Sequence, residues 1–325
     1  MSAQAGSAAA PPHVAVTPPR VARGAIIGIV APSGPVTLQG AAAGLDRLRE
    51  VFAVRVAPSV FAARPPGLAS FLAASDETRA AELNAMLRDP DVRAIVMARG
   101  GYGITRILPL LDAGALRADP KPIVGFSDGT ALLAWAHREG VRGIHGPVVR
   151  QLGGLPPEDV AALIALLTDP TPPPPMALVG DPRIAPTARY TGHCVPANLT
   201  LASMLVGTPW ALPLAGAIAL LEEIGERPYE LDRYFTQLLA TGALASTRAV
   251  VLGDLARCVD AAPATGVPDA PDAALTVVRE RLGTVAMPLA VGAPVGHGDR
   301  NRAVPFGAAC VLTATALEFE AGAVA

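Results

Sequence analysis

The sequence predicts an α/β protein of two domains: a parallel sheet with helices on both faces, followed by a mixed α/β unit. Three observations carry this. In the first half, short apolar runs alternate with stretches of helical period, the rhythm of strand–helix–strand units. Four consecutive prolines at 172–175 then make a stiff extended linker. Beyond them strand and helix signals continue without regular alternation. A length of 325 residues suits two domains. The boundaries read as a tail over 1–23, a first domain over 24–168, a proline-rich linker over 169–186 and a second domain over 187–325.

In chain order, residues 1–23 are rich in Ala and Pro and lack a basic segment followed by an apolar one. They read as a flexible tail rather than a secretory signal. Residues 25–31 (AIIGIVA) form a buried strand. Leu38, Ala41, Leu45, Leu48 and Phe52 then recur at helical spacing. Ser75, followed by Asp76 and Glu77, caps a helix whose first turn carries acids; it runs to about Arg88. Residues 92–98 are a strand, leading into Arg99-Gly100-Gly101-Tyr102-Gly103. A helix, a strand over 123–126, a tight turn and a helix over 130–138 follow. A helix over 158–167 ends the first domain.

In the second half, residues 217–222 (AIALLE) are a strand, 231–239 have helical spacing, 249–252 are a strand and 270–282 a helix. Residues 311–319 alternate like one strand. The uncharged stretch 199–221 is long enough to raise the question of a membrane span. Gly207, Pro209, Pro213 and Gly216 break it into a helix, a turn and a buried strand. No internal repeat is visible.

Half the residues are apolar but aromatics are only 4%, so the core is built of small aliphatics. A net charge of −2 leaves no electrostatic footprint for nucleic acid. Cys194, Cys258 and Cys310 lie far apart and form no C-x-x-C pair, which suggests free thiols in a reducing compartment. No metal-binding spacing of His, Cys or carboxylates occurs, and no cofactor is expected.

The chemistry concentrates at Gly125-Phe126-Ser127-Asp128-Gly129, a G-x-S-x-G elbow between a strand and a helix. Such a turn lifts a serine hydroxyl clear of the sheet edge. Ser127 needs a base to become a nucleophile, and the base needs an orienting partner. Of five histidines, His13 lies in the tail, His137 is expected to face solvent, and His193 sits in Thr-Gly-His-Cys. His297, between two glycines, is the best base on local grounds; His145, in the serine's own domain, is its rival. Glu222 ends an apolar strand, where a carboxylate needs hydrogen bonds. Strand alternation sends Glu222 and Glu223 to opposite faces, so at most one enters the cleft. The amides of Gly100, Gly101 and Asp128 are candidate donors to an oxyanion. The 99–103 loop matches neither common phosphate-binding pattern.

Several blocks together resemble the LD-carboxypeptidases, a family of serine peptidases. They are IVAPSG at 29–34, FLAASD at 71–76, ARGGYG at 98–103, GFSDGT at 125–130 and His145-Gly146-Pro147. Asn198-Leu199, Gly207-Thr208-Pro209-Trp210, LEEIGE at 221–226 and Gly296-His297-Gly298 continue the series in family order. One departure is Pro196-Ala197, where the family has two glycines before the asparagine.

The resemblance implies a flavodoxin- or Rossmann-like N-terminal domain carrying the serine. It implies a C-terminal mixed α/β domain, with a small β-barrel-like sheet, carrying the other two members of a Ser127–Glu222–His297 triad. The implied activity is cytoplasmic hydrolysis of the bond before the terminal D-alanine of murein tetrapeptides, in cell-wall recycling, by a homodimer. Arg99, Tyr102, Asn198 and Arg233 are candidate substrate contacts; an arginine fork would suit the free carboxylate. Neither nucleic acid nor membrane is an expected partner. Two alternatives stand: a microcin-C-immunity-type hydrolase of peptidyl or aminoacyl adenylates, with the same triad, and a non-catalytic α/β module binding small molecules at the sheet switch point.

Overall fold

A computed structural model describes residues 15–325 apart from 64, 183, 263–265 and 268. In chain order the elements are β1 (Ile26–Val30), α1 (Leu38–Arg49), β2 (Ala53–Val56), α2 (Asp76–Arg88), β3 (Val92–Met97), α3 (Ile104–Ile107), α4 (Ala113–Ala118), β4 (Ile123–Gly125), α5 (Gly129–Arg138), β5 (Ile144–His145), α6 (Val149–Leu152) and α7 (Pro157–Thr168). There follow β6 (Met176–Ala177), β7 (Val179–Gly180), β8 (Tyr190–Asn198), α8 (Leu199–Met204), β9 (Ala217–Ile224), α9 (Pro228–Ala240), β10 (Ala249–Ala256), α10 (Ala273–Gly283), β11 (Leu289–Val291), β12 (Val304–Pro305), β13 (Ala309–Leu312) and β14 (Ala316–Phe319).

The helices start where local chemistry permits. Thr37 accepts the Gly40 amide at 3.1 Å to cap α1, and Ser75 accepts the Thr78 amide at 3.2 Å to cap α2. The first sheet has the order β12-β5-β4-β3-β1-β2, with β1 to β5 parallel and β12 antiparallel to β5. The first-half expectation of a parallel α/β sheet holds. Its sixth strand comes from far along the chain, so the second half of the sequence completes the first sheet.

The second sheet has the order β6-β14-β13-β8-β9-β10-β11-β7. Its two edge strands are separated in sequence by the single residue Leu178. The sheet must therefore curl until its edges nearly meet, which makes it barrel-like. Inside the curl lie Cys194, Ile218, Leu220, Val251, Cys310 and Leu312, all small or medium side chains. Pro196, in β8, pairs with β9 on one side; the β13 ladder ends at His193, so the missing N–H interrupts nothing.

Three expectations are corrected here. The stretch 169–186 is not only a linker: it supplies β6 and β7, which close the second sheet. Residues 311–319 are not one strand but the end of β13, a turn and β14, paired antiparallel. In the tail, residues 1–14 lie outside the described residues, but the remainder is packed. Val16 bridges to Val141, and Val21 is buried with its amide on the Leu167 carbonyl. Arg20 and Pro18 exchange backbone bonds with Ala325. The uncharged stretch 199–221 resolves into α8, a turn and the start of β9, and no described helix is long and apolar enough to cross a membrane.

Candidate active site

The elbow forms where β4 stops against Met97 of β3. A Cβ added at Gly125 or Gly129 would stand 3.1 or 2.8 Å from the Met97 sulfur, so a side chain at either position would have to displace Met97. The turn is knit by the Gly129 amide to the Phe126 carbonyl and the Thr130 amide to the Ser127 carbonyl, both at 2.9 Å. Ser127 itself has φ 60°, a left-handed conformation that costs a non-glycine residue about 1–3 kcal/mol. The strain leaves Ser127 partly exposed, and its Oγ has no hydrogen-bond partner among the described residues.

The glycine loop after β3 lies directly on this serine. A Cβ at Gly100 would be 2.8 Å from Ser127 Cβ and 3.1 Å from its Oγ. Gly101 and Gly103 have φ 119° and 130°, which side chains resist. The amides of Gly100, Gly101 and Asp128 donate to no described residue and stay available. The buried Asp128 carboxylate accepts Ser33 Oγ at 2.6 Å and the Ile104 amide at 3.0 Å. The residue next to Ser127 thus fastens the start of α3, and with it the end of the loop. Burial pushes the Asp128 carboxyl pKa up, and these two donors oppose the shift.

At the end of β9, Glu222 is fully buried and its Oε2 lies 2.7 Å from His297 Nδ1. Asn198 Nδ2 reaches Glu222 Oε1 at 3.3 Å and Glu223 Oε1 at 2.9 Å. Glu223 turns instead to α8, taking the amide and hydroxyl of Thr200, both at 2.7 Å. As alternation requires, only Glu222 meets the histidine. Burial raises the Glu222 pKa, while the His297 bond and charge oppose that. With Glu222 ionised, His297 Nδ1 is the donor, and Nε2 keeps its lone pair. The imidazole lies on the Phe126 ring, with centroids 4.4 Å apart, and so beside the residue preceding Ser127.

The His297 loop is held at both ends. A Cβ at Gly253 would collide with the Val295 carbonyl, and one at Gly298 with the Asp254 carboxylate. Glycine at both positions lets the loop lie on β10, where the Asp254 amide donates to Val295 O at 2.8 Å. Downstream, Asp159 of α7 accepts Arg300 Nε at 2.8 Å, Arg300 NH2 at 2.7 Å and the Asn301 amide at 3.0 Å. Asn301 Nδ2 also reaches Gln151 Oε1 at 3.1 Å. The loop that bears the imidazole is therefore tied to the helices of the first sheet.

The remaining candidates fall into place differently. His145 is fully buried, edge-on to Phe126 at 5.2 Å, with both ring nitrogens unpartnered among the described residues. Burial pushes its pKa down to about 3, which makes it a weak proton acceptor, and no contact among the described residues brings it to Ser127. His137, expected at the surface, is half-buried against Phe306, and burial lowers its pKa to about 4. His193 is bound to the Pro213 carbonyl at 2.8 Å. Asn198 is buried, caps α8 through the Leu201 amide, and places its Nδ2 on the two glutamates. Arg233 stacks over the Tyr229 ring at 5.4 Å, and no contact brings it to Ser127 or His297. Tyr102 is half-exposed and packs edge-on to Phe71 at 5.6 Å. Arg99 donates to the Pro35 carbonyl at 2.7 Å. Sequence reasoning missed Asp159, Ser33 and Asp254. Asp159 read as an ordinary first-turn helix acid; Ser33 stood in a recognised block, but its partner lies 95 residues away.

Models of the LD-carboxypeptidase N-terminal and C-terminal domains match residues 27–146 and 191–312. A Streptomyces coelicolor protein named "putative carboxypeptidase" is 38% identical over 305 residues, 92% of this chain and 94% of that one. The murein tetrapeptide carboxypeptidase of Pseudomonas aeruginosa is 33% identical over 261 residues, 77% of this chain and 81% of that one. Among solved structures, the wild-type apo form of the microcin C7 self-immunity protein MccF has a TM-score of 0.81. Its sequence identity is 20%, over 95% of this chain and 100% of that one, a likeness of fold.

Proposed function

Since the chain belongs to the LD-carboxypeptidase family, we propose that it is a serine carboxypeptidase releasing the terminal D-alanine of murein tetrapeptides with Ser127, His297 and Glu222 as its triad. The observation that carries this reading is the 2.7 Å Glu222–His297 pair, with its imidazole laid on the residue next to Ser127. The name of the Pseudomonas relative supplies the substrate.

In this mechanism Ser127 Oγ attacks the scissile carbonyl while His297 Nε2 takes its proton. Glu222 fixes the tautomer and stabilises the imidazolium. The free amides of Gly100, Gly101 and Asp128 receive the oxyanion. His297 then protonates the leaving amino group, and water repeats the cycle on the acyl-enzyme. Ser127 lacks a hydrogen bond to His297, and such bonds tighten when substrate binds. The cysteines are free and buried, which fits a reducing compartment and a role in cell-wall recycling there.

Replacing Ser127 by Ala is expected to lower kcat on a murein tetrapeptide by roughly 10⁴–10⁶ while leaving the fold intact. Near-normal D-alanine release by S127A refutes the triad. MccF, which shares this fold, is also known in complex with aspartyl sulfamoyl adenosine, and this prompts a second reading, hydrolysis of aminoacyl adenylates by the same three residues. Faster turnover of an aminoacyl adenylate than of the tetrapeptide would select it. A fluorophosphonate that labels Ser127 excludes a purely binding role.

A further inference from the structure

The first sheet runs β2-β1-β3-β4-β5, so consecutive connections leave β1 in opposite directions and the chain switches side between β1 and β3. In open α/β sheets the crevice at the carboxyl ends of the strands beside such a switch is where ligands bind. A cavity of about 670 Å³ lies there, lined by residues that follow β1, β2 and β3. Its walls include Pro35 and Thr37 after β1, Ser59 and Phe61 after β2, Arg99 after β3, and Arg150 of α6.

The charges in this cavity do not cancel. No Asp or Glu lines it. Arg99 is half-buried, and its side chain's one hydrogen bond among the described residues goes to the neutral Pro35 carbonyl. The Arg150 side chain makes no ion pair or hydrogen bond among the described residues, while its amide is fixed to Ala98 O at 3.0 Å. The two guanidinium groups feel one another: burial first, and then the Arg150 charge, draws the Arg99 pKa down. The carboxylate behind the wall, Glu82, is occupied by the amide and hydroxyl of Ser59. One cation half-buried, the other exposed, both on the wall of one cavity and neither paired with a carboxylate among the described residues, favour an anion that both can reach. Arg99 also adjoins Gly100, whose backbone lies against Ser127. The Arg99–Gly100 segment thus links the cavity wall to the serine.

We propose that Arg99 and Arg150 form an anion subsite that takes a carboxylate of the peptide substrate and sets its register on Ser127. This rests on the carboxypeptidase reading above. A murein-type peptide offers that carboxylate from two sources, its C-terminus and the carboxylates along its stem.

The test uses the full chain with Arg99→Gln and Arg150→Gln. The substrates are a tetrapeptide with all carboxylates free, one amidated at the C-terminus and one amidated along the stem. Losing one charged hydrogen-bonding partner should raise KM on the free peptide about 10–100-fold, with kcat less affected. On the peptide whose amidated group is the occupant, wild type should already show the high KM, and the substitutions should add little. That peptide identifies the source. If wild type cleaves the free peptide and both variants match its KM, the subsite is overturned while the carboxypeptidase reading stands. If wild type cleaves no murein peptide, that reading fails, and calorimetry with inorganic phosphate decides the subsite. Phosphate binding by wild type that is lost in the R99Q/R150Q double variant supports it; equal binding, or none in either, overturns it.

Discussion

Ser127 is held in a conformation that serine resists, and the glycine at position 100 lets a neighbouring loop lie against it. The loop after β3 passes so near that a methyl group on residue 100 would stand 2.8 Å from the serine Cβ. That proximity places free amides beside the hydroxyl, where charge develops during acyl transfer. Gly100→Ala should therefore push the loop off the serine without disturbing the core. Loss of an oxyanion donor costs about 10²–10³ in kcat, and G100A is expected to fall in that range with a melting temperature close to wild type. Steady-state kinetics and a thermal melt on one preparation check this. An unchanged kcat would mean that the Gly100 and Gly101 amides do not face the reacting carbonyl.

Among the elements, α7 fixes the segment just after His297, and so bears on the geometry that the proposed triad requires. Asp159 on α7 is buried and binds Arg300 and the Asn301 amide, just downstream of His297. The two partners should respond unequally to mutation. Arg300→Ala leaves a buried carboxylate without its cation, which costs about 3–5 kcal/mol. Asp159→Ala leaves a partly exposed guanidinium, which water can solvate, and one orphaned amide, for about 1–3 kcal/mol. Urea unfolding of both variants and of the double variant measures the coupling; equal costs would contradict the burial argument. Both substitutions should also lower kcat, because a loosened loop samples more positions than the productive one. What the sequence made legible follows from range. The elbow, the Gly-His-Gly loop and the carboxylate ending a buried strand are short patterns, each readable within a few residues. Asp159 acts across 141 residues and looks like any acid in a first helical turn. Met176 to Gly180 were hidden by the prolines before them, although their edge bonds close the second sheet. The turn between β13 and β14 contains no glycine or proline to announce it.

Across the whole molecule, the two sheets meet partly through His137 at the end of α5, whose ring packs on Phe306 and Gly307 between β12 and β13. Its Nδ1 is buried and unpartnered among the described residues, and burial lowers its pKa to about 4. The unfolded chain would titrate at about 6.5. A histidine whose folded pKa is depressed contributes stability that is complete above the unfolded value and is lost as pH falls towards the folded one. Between these limits the unfolded state binds the extra proton, so stability rises with pH. The buried carboxyls of Glu222 and Asp128 act in the opposite sense. Their raised pKa values favour the folded state below the ordinary carboxyl range and cease to do so as pH rises through the folded values. The total pH profile mixes both effects, so a variant must separate them. His137→Gln keeps a neutral polar side chain and cannot protonate. Its stability, followed by urea unfolding from pH 7 to pH 4, should fall less steeply than that of wild type, by at most about 3 kcal/mol over the range. The difference between the two curves should open below pH 6.5 and flatten near 4. Parallel curves would show that the join between the sheets admits enough water to hold a charged imidazole.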